Sequence, residues 1–125
     1  MAARKPTTKA PEGYATTGLP SRKVVQAVLK DINRIRKAEG WPPVRALLRG
    51  FGTFPYGQTC PVARTVGFGA PAYEVGVSHA RVRVQRASNP FYCFMARHYP
   101  TSEATEVFIR AFDAGRYPGL RAPHA

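Results

Sequence analysis

The 125-residue chain is one domain's worth of sequence, and its 44% hydrophobic content is ordinary for a globular protein. Its charge is not ordinary: 19 Lys and Arg stand against 7 Asp and Glu, a formal net charge of +12. That surplus favours polyanionic partners and, with so few carboxylates, argues against carboxylate-pair hydrolases and two-metal nucleases. No run approaches the ~20 apolar residues of a membrane-spanning helix.

Residues 1–20 are rich in Pro, Thr, Lys and Ala. They hold too few large apolar side chains to offset the entropy of ordering, which predicts a disordered basic arm. The opening MAARKPTTKAPEGY has no apolar stretch of the kind a secretory leader needs. Cys60 and Cys93 are the only cysteines, so the expectation is a cytoplasmic protein with reduced thiols. Residues 1–50 carry 11 basic and 3 acidic side chains, so the surplus is concentrated in the N-terminal part.

Ser21 follows Pro20 and is placed to cap a helix running to Gly40. Val25, Val28, Leu29, Ile32 and Ile35 form one apolar stripe on it, and Lys23, Lys30, Arg34 and Lys37 lie around the other side. Lys30 and Arg34 are a like-charge i,i+4 pair, which costs a few tenths of a kcal/mol on an isolated helix. A bound polyanion relieves that repulsion; a solvated cationic face merely tolerates it. Trp41-Pro42-Pro43 breaks the pattern, and a short helix is predicted over Val44 to Arg49, stopped by Gly50. The stretch FGTFPYGQ is expected as an irregular loop whose Phe51, Phe54 and Tyr56 reach back to the core.

Thr59 or Cys60 then caps a short helix with Pro61 at its first position. After the turn GFGAP comes the clearest period-2 pattern in the chain. Tyr73, Val75 and Val77 alternate with Glu74 and Gly76, and Ala80, Val82 and Val84 alternate with Arg81, Arg83 and Gln85. This predicts a β-hairpin with an apolar face toward the core and a basic face toward solvent. FYCFMARHYP is compatible with either strand or irregular structure. Thr101 or Ser102 caps a last helix whose stripe is Val107, Phe108, Ala111 and Phe112, with Glu103 and Glu106 suiting its positive end.

Cys60-Pro61-Val62-Ala63-Arg64, a hairpin, and then Phe108-Ile109-Arg110-Ala111-Phe112-Asp113-Ala114-Gly115 resemble small proteins common in actinobacterial and actinobacteriophage genomes. Their pattern is roughly C-P-I/V-A-x-A/T-L/V, two strands, then F-I-x-x-F-D-x-G. The resemblance covers about half of the chain. It implies a phage or actinobacterial origin and no particular chemistry, and the basic N-terminal helix lies outside it.

A cysteine at a helix start has a stabilised thiolate, but a nucleophile also needs a base, and nothing in the spacing requires His79 or His98 to be near Cys60. The same four residues, Cys60, His79, Cys93 and His98, could form a Cys2His2 metal set. Cys93-x4-His98 suits zinc, but the other spacings match no zinc motif. A small capping or core cysteine is the simpler role, and neither a metal nor a cofactor is expected. Phosphate-loop, dinucleotide, zinc-protease and nucleophile-elbow motifs are absent.

The chain therefore reads as α+β. A small single domain over residues 21–117 packs a β-hairpin against an N-terminal and a C-terminal helix, and residues 118–125 form a flexible tail. The order helix, short helix, short helix, hairpin is winged-helix-like, and Gly40-Trp41-Pro42-Pro43-Val44-Arg45 is similar to the entry into the second helix of some winged-helix repressors. The stretch from Gly50 to Thr59 is nevertheless far longer than the 3–4-residue turn of a helix-turn-helix. The leading expectation is a non-catalytic protein that binds DNA or RNA. Its phosphate contacts are expected from Lys23, Lys30, Arg34, Lys37, Arg45, Arg49 and Arg64, with Arg81, Arg83 and Arg86 on the hairpin. The alternative is an adaptor whose charge steers it to an acidic host or phage protein. No membrane partner is expected.

Overall fold

A computed structural model describes residues 18–52, 56–78, 80–87 and 96–122, with elements in the order helix, two short helices, three strands, helix. Helix α1 spans Arg22–Glu39. Ser21 Oγ accepts from Val24 N at 3.2 Å at its start. Gly40 ends it in the left-handed region at φ 85°, a conformation that a residue with a Cβ adopts only at a cost. Most of the stripe predicted for α1 faces inward: Val28, Ile32 and Ile35 are buried and Leu29 packs partly buried against them, while Val24 takes the place at the core expected for Val25.

The helix expected over Val44 to Arg49 does not form. Asn33 of α1 competes for its backbone: Nδ2 donates to Val44 O at 3.0 Å, and Val44 N donates to Oδ1 at 2.8 Å. Leu48 N donates to Thr65 Oγ1 at 2.9 Å, which ties the segment to the helix that holds Thr65. A one-turn helix α2, Tyr56–Thr59, falls instead within the stretch expected to be irregular. Phe51 is half-buried beneath the Arg64 guanidinium at 4.8 Å rather than in the core; Phe54 and the Tyr56 side chain lie outside the described residues. Helix α3, Pro61–Val66, is capped by Cys60 and buries Pro61, Val62, Ala63, Thr65 and Val66. A helix that spends five of its six residues on packing has little surface left to lay in a DNA groove, so the winged-helix order is not matched by an exposed reading helix.

Strands β1 (Tyr73–Ser78), β2 (Arg81–Arg86) and β3 (Arg97–Pro100) form an antiparallel meander. Val75 lies opposite Val84, and Val77 opposite Val82. Val75, Val82 and Val84 are buried with Ile32 and Phe108, and Val77 packs at their edge. The predicted faces are therefore the observed ones, except that Arg83, expected toward solvent with Arg81, is half-buried. The third strand gives β2 a partner on both sides, a more stable arrangement than a lone hairpin.

Helix α4, Glu103–Asp113, is capped by Ser102. Its buried side is Thr105, Phe108 and Phe112, while Val107, expected on the stripe, is 54% exposed. Spacings of three and four from Thr105 fix one line down the helix, and Val107 falls off it. The α4 N-terminus is anchored by Asp31 of α1, whose Oδ2 accepts from Ser102 N at 2.9 Å, Ser102 Oγ at 2.7 Å and Thr105 Oγ1 at 2.5 Å.

The flexible tail expected over residues 118–125 is not seen at residues 118–122, and residues 123–125 lie outside the described residues. Pro118–Leu120 forms a 3-10 turn, Leu120 is buried, and Gly50 N donates to Leu120 O while Ala122 N donates to Gly50 O, both at 2.8 Å. Of the expected arm, residues 1–17 lie outside the described residues, whereas Gly18 is buried beside Gly119. Among the described residues no helix is long and apolar enough to cross a membrane.

Candidate nucleic-acid interface

At 100° per residue, Lys23, Lys30, Arg34 and Lys37 fall within about 60° of the α1 circumference and span about 21 Å of its length. All four are exposed, opposite the buried Val28, Ile32 and Ile35. Among the described residues, no carboxylate pairs with Lys23, Lys30 or Lys37. Arg34 is different. Its Nη2 donates to Pro100 O at 2.7 Å and to Asp31 Oδ1 at 3.2 Å, so it ties α1 to the junction of β3 and α4.

The other predicted cations do not join this line as one surface. Arg45 and Arg49 are exposed on the irregular segment after α1. Arg64 donates to Arg49 O and lies over the Phe51 ring, so its guanidinium is committed to folding its own loop. Arg81 and Arg83 share the outer face of the sheet, Arg81 exposed and Arg83 half-buried. Arg86, expected beside them on a wing, falls on the opposite face because alternation along β2 places it with Val82 and Val84. There it stands 5.7 Å over the Tyr73 ring.

Two charged residues that carry the architecture were not among the sequence candidates. Arg36 is 3% exposed. Its Nε donates to Pro42 O at 2.7 Å, and its Nη1 to Val66 O and Phe68 O at 2.8 Å and to Thr65 O at 3.3 Å. One guanidinium thus closes the carbonyl end of α3 and the turn after it, where a cation suits the helix dipole. Burial pushes its pKa down without a carboxylate to offset it. The signal was present: Arg36 lies four residues after Ile32, on the apolar side. The second is Glu39, whose carboxylate takes both Nε and Nη2 of Arg97 at 2.6 Å and accepts from Tyr99 Oη. The Arg97 hydrogen bond, opposed by burial and aided by Tyr99, holds Glu39 below the usual carboxylate range.

Cys60 is 2% exposed and its Sγ accepts from Ala63 N at 3.5 Å. Burial pushes the thiol up to about 11, overriding the helix-start hydrogen bonds that pull it down. Of the four possible metal ligands, His79 and Cys93 lie outside the described residues. Cys60 is in the core cluster, while His98 is exposed on the outer sheet face opposite Arg83. Among the described residues, no group of three or more His, Cys, Asp and Glu is placed to hold a metal ion.

The fold and surface describe a small basic α+β domain. Compared with protein-family models, with curated proteins and with solved structures, the chain matches none.

Proposed function

We propose that the protein binds nucleic acid without catalysis, through phosphate contacts made by the exposed face of α1. The observation that supports this reading is the line of Lys23, Lys30 and Lys37, held on a helix anchored at both ends and left without carboxylate partners among the described residues. A chain with a formal charge of +12 has ample carboxylate-free surface. A straight cationic row about 21 Å long suits the regular spacing of a phosphate backbone. Binding of this kind is sequence-tolerant and steeply salt-dependent.

The test is the salt dependence of affinity for the wild type and for a Lys23→Gln, Lys30→Gln, Lys37→Gln variant. Each lost phosphate contact removes about 0.9 from the slope of log affinity against log salt on duplex DNA, and about 0.7 on a single strand. Three contacts should therefore flatten the slope by roughly 2 to 3. Arg34→Gln should leave the slope nearly unchanged, because its guanidinium serves Pro100 and Asp31. An unchanged slope in the triple variant, with the fold intact, rejects α1 as the binding face. A wild type that binds neither DNA nor RNA at low salt rejects the reading and leaves an acidic protein as the partner to pursue.

A further inference from the structure

The outer face of the sheet carries a depression of about 680 Å³ lined chiefly by Ser78, Arg81, Arg83, His98, Pro100 and Thr101. Strand register brings these residues together. Arg83 lies opposite Gly76 on β1 and His98 on β3, and Arg81 lies opposite Ser78 and Pro100. Two guanidinium groups two residues apart on one face repel each other unless an anion lies between them. Among the described residues no carboxylate lines the depression, and Glu74, an acidic residue on this face, is taken by Gln85 Nε2 at 3.0 Å. Arg83 Nε, Thr101 Oγ1 and, on the same face, the acceptor Gln85 Oε1 are buried with no hydrogen-bond partner among the described residues. Burying a donor without a partner is costly, most of all when it belongs to a cation.

Gln85 Oε1 does not bond either guanidinium, so among the described residues Arg81 and Arg83 have no acceptor. We propose that this depression is a phosphate site, in which a phosphate group accepts from the Arg81 and Arg83 guanidinium groups, the Ser78 and Thr101 hydroxyls and the His98 imidazole. Two guanidinium forks with two hydroxyls offer more donors than the two oxygens of a carboxylate can use, and they suit the oxygens of a phosphate. Gly76 contributes by lacking a side chain: a Cβ there would lie 3.1 Å from Arg83 Nη2, so the guanidinium lies across the bare strand. The site rests on the nucleic-acid reading for the source of its phosphate, the backbone of a bound strand.

The full chain is titrated with inorganic phosphate at constant ionic strength while the arginine Nε–H resonances are followed by NMR. The Arg83 resonance should move and saturate. Thr101→Val, which removes only an unpartnered hydroxyl and should fold normally, and Arg83→Gln should each weaken binding roughly tenfold or more. In Arg83→Gln the readout moves to the Arg81 resonance. A trinucleotide that displaces phosphate from the same resonances identifies backbone phosphate as the source; phosphate binding without that competition supports the site for the free anion. No saturable change in the wild type, or equal binding in both variants, overturns the proposal. Phosphate binding here with no oligonucleotide binding anywhere keeps the site and rejects the nucleic-acid reading. Oligonucleotide binding through the α1 lysines with Arg83 unmoved does the reverse.

Discussion

Asp31, in the middle of α1, accepts from both the backbone N–H and the hydroxyl of Ser102, the residue that caps α4, at 2.9 and 2.7 Å. A carboxylate on one helix therefore sets the position of another, and it reaches the positive end of that helix dipole. Asp31→Asn keeps the shape but replaces a charged acceptor with a neutral one and points a donor at donors. It should lower stability by about 3 kcal/mol in urea denaturation, with the denaturant dependence unchanged.

Acid should act through the same contact. Burial alone would raise Asp31, but hydrogen bonds from Thr105, Ser102 and Arg34 outweigh it and hold the carboxyl below its ordinary value. Glu39 is lowered by Arg97 and Tyr99. In the unfolded chain these groups titrate near ~3.9 and ~4.3. Folded pKa values below the unfolded ones mean that the stabilisation is complete above this range and is lost as pH falls through the folded values. Asp113, raised by burial against the pull of Arg121, works in the opposite sense and offsets part of the loss. Thermal midpoints should be flat above about pH 5 and fall below about pH 4, and less steeply in Asp31→Asn.

Arg36 closes four carbonyls of the chain from inside the core. Arg36→Met fills much of the volume but leaves those acceptors buried without donors, and should cost about 3 kcal/mol or more. Arg36→Lys should rescue little, because a point charge cannot reproduce the guanidinium fork. Arg36 stands 5.9 Å over the ring of Trp41, so tryptophan fluorescence in the folded baseline should change in both variants.

Cys60 should be inert while the protein is folded. In a Cys93→Ser background, thiol-reactive reagents at pH 8 should modify Cys60 only at the rate of unfolding, because the sulfur is buried and its thiolate disfavoured. The raised folded pKa means that this stabilisation is full below the unfolded thiol value of ~8.5 and is lost as pH rises toward about 11. Fast alkylation of the native protein would contradict the assignment of Cys60 as a core cap.

Much of the fold was legible because its determinants are local. The cap at Ser21, the caps read as Thr59 or Cys60 and as Thr101 or Ser102, the stop at Gly40, most of the α1 stripe and the valine alternation of β1 and β2 depend on residues a few positions apart; the structure chose Cys60 and Ser102 between the paired candidates. The exposed row of Lys23, Lys30 and Lys37 was legible for the same reason. Only the tertiary structure decided what distant partners impose. Asn33 kept Val44 to Arg49 out of a helix, pairing with β2 made Arg97–Pro100 a strand, and the tail was drawn in beside Gly50. Arg34 and Arg36 look alike to a count of charges, yet one bridges α1 to Pro100 and the other is buried under four carbonyls. The outer-face depression likewise exists only because register sets Arg83 against His98 and Arg81 against Pro100. Periodicity determines which face of an element is apolar. What a buried polar side chain bonds to depends on groups brought beside it by folding, and no local pattern encodes those.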